Sequence, residues 1–299
     1  MHQPASLINS RFSILYKIGE GSFSDVFICL DNESSDRLFA VKVFKKASAN
    51  QHQIELTLLD KAKNRGIPKL FGNGFSKSCD MSFILMEVLG PNLSDLLSFC
   101  GSKFTLKTTL MLFYQLLQRF RALHEAGIIH CDVKPENVLM GLRKFSGEAY
   151  LIDFGLGNSI YDENGRHIKM QTELPLIGTA AFASPYAHMG CEQSRRDDLI
   201  SLGYLVYYIY NGSLPWIFLS DSHSPRCRKV AQAKASFCKS TEAEKAPRAF
   251  RDYLDYCLEL GFEEQPDYQW LLDLVKNLAD ERGINLFDNC FDWNIIRAS

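Results

Sequence analysis

The amino-acid pattern predicts an α+β protein of two lobes: a small β-rich N-terminal lobe carrying one key helix, and a larger, mainly helical C-terminal lobe. Strand-forming runs crowd the stretch from Arg11 to Val88, and helical periodicity takes over beyond Pro91. Between them the Gly90-Pro91 pair interrupts both repeats, which places a hinge at residues 89–91. The expected organisation is one domain over 11–293, with lobes at 11–88 and 92–293 and a short C-terminal end at 294–299 without a regulatory tail.

Each element has its own signal. Phe12 to Tyr16 alternates in part, Asp25 to Leu30 is rich in β-formers, and Leu38 to Phe44 is a third such run. A helix is expected from Gln53 to Lys63, where Ile54, Leu56, Leu58 and Leu59 supply apolar positions, and a further strand over Met81 to Val88. In the second lobe, Leu106 to Ala126 has helical spacing and stops at Gly127, a C-cap residue. Leu199 to Tyr210 is apolar on nearly every side, as in a helix buried at a lobe's centre, and Ala249–Leu260 and Trp270–Ala279 read as amphipathic helices.

The chain of 299 residues can bury a substantial core, and its 46% hydrophobic and 23% charged residues are ordinary for a soluble globular protein. A net charge of −2 gives no reason to expect nucleic acid or an anionic membrane as partner. Nine cysteines are scattered without any CxxC pair, which argues against a disulfide framework and a zinc site and for reduced thiols. The opening MHQPASLINSRF lacks the apolar core of a signal peptide, and the apolar run at 199–210 is shorter than the ~20 residues a membrane span needs. The expectation is a soluble, monomeric protein of the cytoplasm, the nucleus or both.

Several segments carry chemistry. Gly19-Glu20-Gly21-Ser22-Phe23-Ser24-Asp25-Val26 lies between two strand signals, where glycines let backbone N–H groups approach a polyphosphate. Alone it is a weak signal and reads first as a ligand-free hairpin. Lys42 follows on a strand and Glu55 on the next helix, a pair that can hold an ammonium against phosphates; singly, each is an ordinary surface residue. His130-Cys131-Asp132-Val133-Lys134-Pro135-Glu136-Asn137 is sharper. It sets an aspartate five residues before an asparagine: Asp132 can accept a hydroxyl proton, Lys134 can stabilise a transferring phosphoryl group, and Asn137 can offer oxygen to Mg²⁺. Asp153, in Leu151-Ile152-Asp153-Phe154-Gly155, supplies a second metal carboxylate. Glycine loop, lysine, glutamate, DxxxxN and DFG in this order point to phosphoryl transfer from ATP with Mg²⁺.

Over essentially the whole chain, from Arg11 to Trp293, these residues resemble the protein kinases, and the second lobe resembles the casein kinase 1 family. Leu89-Gly90-Pro91-Asn92-Leu93-Ser94-Asp95-Leu96 is similar to that family's LGPSLEDL, and Glu192 to Leu199 to its EQSRRDDL. Ala183-Ser184-Pro185 stands near the family's ASIN, and Phe262 to Tyr268 and Phe291-Asp292-Trp293-Asn294 complete the likeness. The resemblance implies a bilobal protein-kinase fold and a serine/threonine kinase acting on protein substrates in acidic context. It implies that Ile18, Gly19, Gly21, Ser22, Phe23, Ser24 and Val26 cover ATP, with Lys42 on the phosphates and Glu55 orienting it. Met86 would be the gatekeeper, the backbones of Glu87 and Leu89 would bond adenine, and Val26, Ala40 and Leu139 would sandwich the ring. Asp132 would be the base, Asn137 and Asp153 the Mg²⁺ ligands, Thr179 the brace of Asp132 and Lys134, and Asp198 the tie between the loop and the buried helix.

Three departures matter. Cys131 replaces the arginine of HRD and cannot pair with an activation-loop phosphate, so activity without such phosphorylation is expected. The positions matching the family's phosphate-gripping basic residues are Asn158, Leu174 and Ala181, so preference for pre-phosphorylated substrates should be weak, with Arg226, Arg228 and Lys229 retaining part of that site at most. Ser24 stands where a third glycine is usual and could restrict the loop. Two other readings remain beside the kinase: a pseudokinase-like ATP-binding scaffold, which would normally lack Lys42, Asp132, Asn137 or Asp153, and a small-molecule kinase.

Overall fold

A computed structural model of the chain describes residues 11–34, 37–62, 66–76, 80–217 and 224–298. Its N-terminal part is a five-stranded antiparallel sheet of β1 (Phe12–Glu20), β2 (Ser24–Asp31), β3 (Arg37–Phe44), β4 (Leu70–Ser76) and β5 (Met81–Met86), in the order β1-β2-β3-β5-β4. Alternation along β3 decides what each face does. Phe39, Val41 and Val43 point into a core shared with Phe12, Ile14, Cys29, Phe83 and Leu85, and Ala40 and Lys42 point the other way.

Strand β4 is absent from the sequence reading. Its Gly72-Asn73-Gly74 dilutes β propensity, and pairing with β5 supplies what propensity does not. Gly74 also makes room: a Cβ there would lie 2.9 Å from the Phe83 ring. The expected helix over 53–63 is α1 (Ala49–Lys61), displaced toward the N-terminus, with Leu58 and Leu59 buried and Ile54 exposed.

The C-terminal part contains α2 (Leu93–Phe99), α3 (Leu106–Glu125), α4 (Pro185–His188), α5 (Arg195–Asn211), α6 (Ser224–Ala235), α7 (Arg248–Glu259), α8 (Tyr268–Glu281) and α9 (Asp292–Ala298). Helix α5 is the buried axis and begins a turn before the apolar run foreseen. Its first turn is polar, yet Arg195, Arg196, Asp197 and Asp198 are all buried, and Ser194 N–H donates to Asp197 Oδ2 at 2.8 Å. Gly212, at φ +83°, ends it by donating to Tyr208 O at 2.8 Å.

Two short ladders frame the loops between the lobes: β6 (Ile128–Ile129) with β9 (Asn158–Ser159), and β7 (Val138–Met140) with β8 (Ala149–Leu151). One apolar cluster runs through both lobes, joining Phe44, Leu58, Leu59 and Ile84 to Ile128, Val133, Leu151 and Phe154. Among the described residues no helix is long and apolar enough to cross a membrane, and no group of three His, Cys, Asp or Glu could hold a metal ion.

Candidate active site

The loop between β6 and β7 is bent into shape by its backbone. Cys131 takes a left-handed conformation, φ +64°, and Asp198 of α5 holds the bend: His130 N–H donates to Asp198 Oδ2 at 2.7 Å and Cys131 N–H to Oδ1 at 2.9 Å. His124 Nε2 lies 2.9 Å from the same Oδ2. The His130 ring adds a second brace, with Nε2 donating to Ile152 O at 2.9 Å and Nδ1 accepting from Asp132 N–H at 3.2 Å. Burial, reinforced by Asp198 and Asp197, pushes the Cys131 thiol well above its ordinary range, so it is a neutral group here.

On this frame Asp132 is 6% exposed and surrounded by donors. Thr179 Oγ1 donates to Oδ1 at 2.7 Å, Lys134 Nζ to Oδ2 at 2.7 Å, and Asn137 Nδ2 to Oδ2 at 3.1 Å and to the Asp132 carbonyl at 2.9 Å. Lys134 Nζ also reaches Thr179 Oγ1 at 3.3 Å. Four groups expected to act together are thus in mutual contact. The amide nitrogen of Asn137 is committed to Asp132, which leaves its oxygen as the side a cation would take.

The nucleotide side is built on the sheet's open face. In the β2–β3 register Val26 faces Lys42, and in the β3–β5 register Ala40 faces Met86, so Val26, Ala40, Lys42 and Met86 share one surface. Lys42 Nζ lies 2.6 Å from Glu55 Oε2 and 2.8 Å from Asp153 Oδ1. Burial opposes charge on Lys42, but the two carboxylates outweigh it and its pKa is raised; likewise burial alone would raise Asp153, and Lys42 brings it below the ordinary carboxylate value. The Asp153 side chain is 45% exposed, and Ile152 N–H donates to Asn137 O at 3.0 Å, so the two segments are joined; the Asp153 carboxylate and the Asn137 amide oxygen are hard donors of the kind that fits Mg²⁺.

The turn over Gly21, Ser22 and Phe23 is closed by Gly21 N–H donating to Ser24 O at 2.8 Å. Ser24 is a buried strand residue without positive φ, so the restriction foreseen for it does not arise; the glycines serve close approach, a Cβ on Gly21 lying 3.3 Å from Ser24 O. Ile18 and Phe23 are exposed on this edge. At the hinge, Glu87 N–H is spent on Lys69 O at 3.1 Å, which leaves the Glu87 carbonyl and the Leu89 backbone for a ligand. Gly90 N–H donates to Met140 O at 2.7 Å and Leu139 bridges to Asn92, which brings Leu139 under the same cleft.

Of the three uncharged positions, Asn158 is exposed on β9, Leu174 is half-buried and Ala181 is buried. Lys229 is exposed on α6, and the side chains of Arg226 and Arg228 lie outside the described residues.

Sequence reasoning missed Lys234. It is fully buried, without a carboxylate partner among the described residues, and its Nζ lies 2.7 Å from Ala180 O, 2.6 Å from Ala183 O and 3.2 Å from His188 Nε2, over the rings of Tyr204 and Trp216. With Trp216 Nε1 donating to Ala181 O at 2.8 Å, it fixes the segment that carries Thr179. A signal existed: Val230, Ala231 and Lys234 fall on one face of α6 at helical spacing, two of them apolar. Burial pushes the Lys234 ammonium well below its ordinary pKa.

A protein kinase domain model matches residues 12–281. That stretch takes in the sheet, the hinge, the loop of Asp132 and helices α1 through α8, and the chain belongs to the protein kinase family.

Proposed function

We propose that this protein kinase is a serine/threonine kinase of the casein kinase 1 type. The observation that carries the reading is the contact set around Asp132, in which Thr179 occupies one carboxylate oxygen and Lys134 and Asn137 the other. In this reading a Ser or Thr hydroxyl enters beside Asp132, which takes its proton as the oxygen attacks the γ-phosphorus of ATP and the bond to the β-phosphate oxygen breaks, releasing ADP. Lys134 keeps its positive charge beside the transferring group, and Lys42, oriented by Glu55, holds the α- and β-phosphates. The glycine turn covers the phosphates, and Val26, Ala40 and Leu139 pack on the adenine, with Glu87 and Leu89 on its polar edge. Asn137 and Asp153 would hold Mg²⁺, which supplies charge neutralisation on the phosphate oxygens.

Cys131 supports activity without activation-loop phosphorylation, because a neutral thiol offers a phosphate no ion pair. Asn158, Leu174 and Ala181 support a weak response to upstream phosphoserine.

Transfer of labelled phosphate from ATP to casein and to Ser/Thr peptides, wild type beside Asp132→Asn, tests the assignment. A loss of roughly 10²-fold or more in the variant is expected. Equal signals, or none from a well-folded wild type that still binds ATP, would instead establish a binding scaffold. Sugars and amines in place of peptide should take up no label. Phosphatase treatment should leave the rate unchanged, and an upstream phosphoserine should raise turnover by less than about threefold.

A further inference from the structure

Outside the catalytic cleft, an open groove of about 750 Å³ lies between the end of α2, the start of α3, the end of α5 and α9. None of its lining residues takes part in the nucleotide or Asp132 contacts. Its floor is apolar, with Phe104 buried and Tyr210 half-buried. One wall is α9, which turns Ile295, 56% exposed, and Ile296, 44% exposed, onto the groove. Core packing does not account for two adjacent isoleucines left in water.

The groove is held in shape from both sides. Phe104 N–H donates to Ile209 O at 2.7 Å, and a Cβ on Gly212 would lie 2.9 Å from Ser102 O, so glycine lets the α2–α3 loop close on the end of α5. Helix α9 is tied to α3: Asp292 Oδ2 accepts from Thr105 N–H at 2.6 Å and Oδ1 from Thr105 Oγ1 at 2.7 Å, and Trp293 packs on the rings of Phe104 and Phe291. Both oxygens of the one carboxylate in the lining are thereby engaged. Lys103 and Lys245 stand exposed in the same lining, and neither forms an ion pair among the described residues. Glu242 feels the charge of Lys245 without pairing with it. The groove thus sets two available cations around an apolar wall, in a chain whose net charge is −2.

We propose that this groove docks a peptide segment of a partner protein, one that carries aliphatic or aromatic side chains beside Asp or Glu. Charge complementarity names the occupant. A basic segment would meet Lys103 and Lys245, and a second copy of this chain in a two-fold contact would set the same lysines against each other. Covering each isoleucine contributes about tenfold in binding, and each exposed ion pair at most about fivefold. Docking here goes beyond the serine/threonine reading above and does not draw on it, because the groove shares no residue with the cleft.

The test is fluorescence anisotropy with the full chain, without ATP, on three short labelled peptides. One carries two leucines a helical turn apart flanked by Asp and Glu; the second replaces the acids with lysine; the third replaces the leucines with serine. The first should bind about tenfold or more tighter than either control. The double variant Lys103→Glu, Lys245→Glu should lose the preference for acids, and Ile295→Asp should weaken the first peptide about tenfold. Should Ile295→Asp melt early, the lysine variant, altered only at exposed positions, still decides. Saturating ATP should leave the affinity within twofold. Three peptides that bind alike, binding that survives the lysine substitutions, or displacement by ATP overturns the docking groove. So does a wild type that gel filtration shows to be a dimer and Ile295→Asp makes a monomer, since a second copy would then fill the groove. A chain that binds the first peptide as expected but transfers no phosphate keeps the groove and loses only the kinase assignment.

Discussion

The hydroxyl of Thr179 donates to Asp132 Oδ1 at 2.7 Å, joining two loops that are 47 positions apart in the chain. That bond leaves Oδ2 to Lys134 and Asn137, so the carboxylate is oriented from both sides. Thr179→Ser keeps the donor and Thr179→Ala removes it. Steady-state kinetics on one peptide should give kcat within about threefold for the serine variant and at least about tenfold lower for alanine, as misplacement near a reacting group costs. Equal losses in both would assign the effect to the lost methyl group.

Two buried groups near this segment titrate with opposite consequences. Burial, only partly offset by hydrogen bonds from Ser184 and Ser194, raises Asp197 to about 6; burial and the nearby Lys234 lower His188 to about 4. The raised carboxyl adds stability as pH falls through 6 toward 4. The depressed imidazole removes stability as pH falls from 6.5 to 4. The two largely offset in wild type. Asp197→Asn uncovers the histidine, so its urea-unfolding free energy should drop on the order of 3 kcal/mol more than wild type's between pH 6.5 and 4. Parallel curves would show that Asp197 does not titrate there.

Lys234→Met keeps the stem and removes the N–H donors, taking one partner from Ala183 O and leaving Ala180 O with His188 Nε2. The segment carrying Thr179 should loosen while the sheet is untouched. The expected outcome is a KM for peptide raised about tenfold with nucleotide affinity, read by thermal shift, within threefold. A lower melting temperature with unchanged peptide KM would make the lysine structural only.

Gly178 sits at φ +91°, and a Cβ there would lie 2.3 Å from Cys131 O. Both the conformation and the contact forbid a side chain. Gly178→Ala should therefore push the Thr179 segment off the Asp132 loop. The expected result is a kcat/KM at least about 10²-fold lower, in a protein whose circular dichroism remains that of the wild type.

Most of the site was legible in the sequence because its chemistry is local. Asp132, Lys134 and Asn137 lie within six consecutive residues, and the glycine turn within eight. Residue order along such a short stretch encodes the geometry. The long periodic helices were legible for a similar reason: α3, α7 and α8 each repeat an apolar face, and only their ends differ from expectation by a residue or two. Strand β4 and the first turn of α5 were not, since Gly72-Asn73-Gly74 and Arg195-Arg196-Asp197-Asp198 deny the local rules and are settled by partners distant in the chain.

The sequence by itself determined the lobes, the order of the catalytic segments and the uncharged stretch around Thr179. Only the tertiary structure decided that Asp198 holds the bend at Cys131, that Ser24 needs no left-handed backbone, and that a lysine on α6 is sealed against the carbonyls of Ala180 and Ala183. The physical reason is one of range. Propensity and periodicity act over a few residues, whereas a hydrogen bond that bridges loops far apart in sequence exists only after the core has brought them within 3 Å.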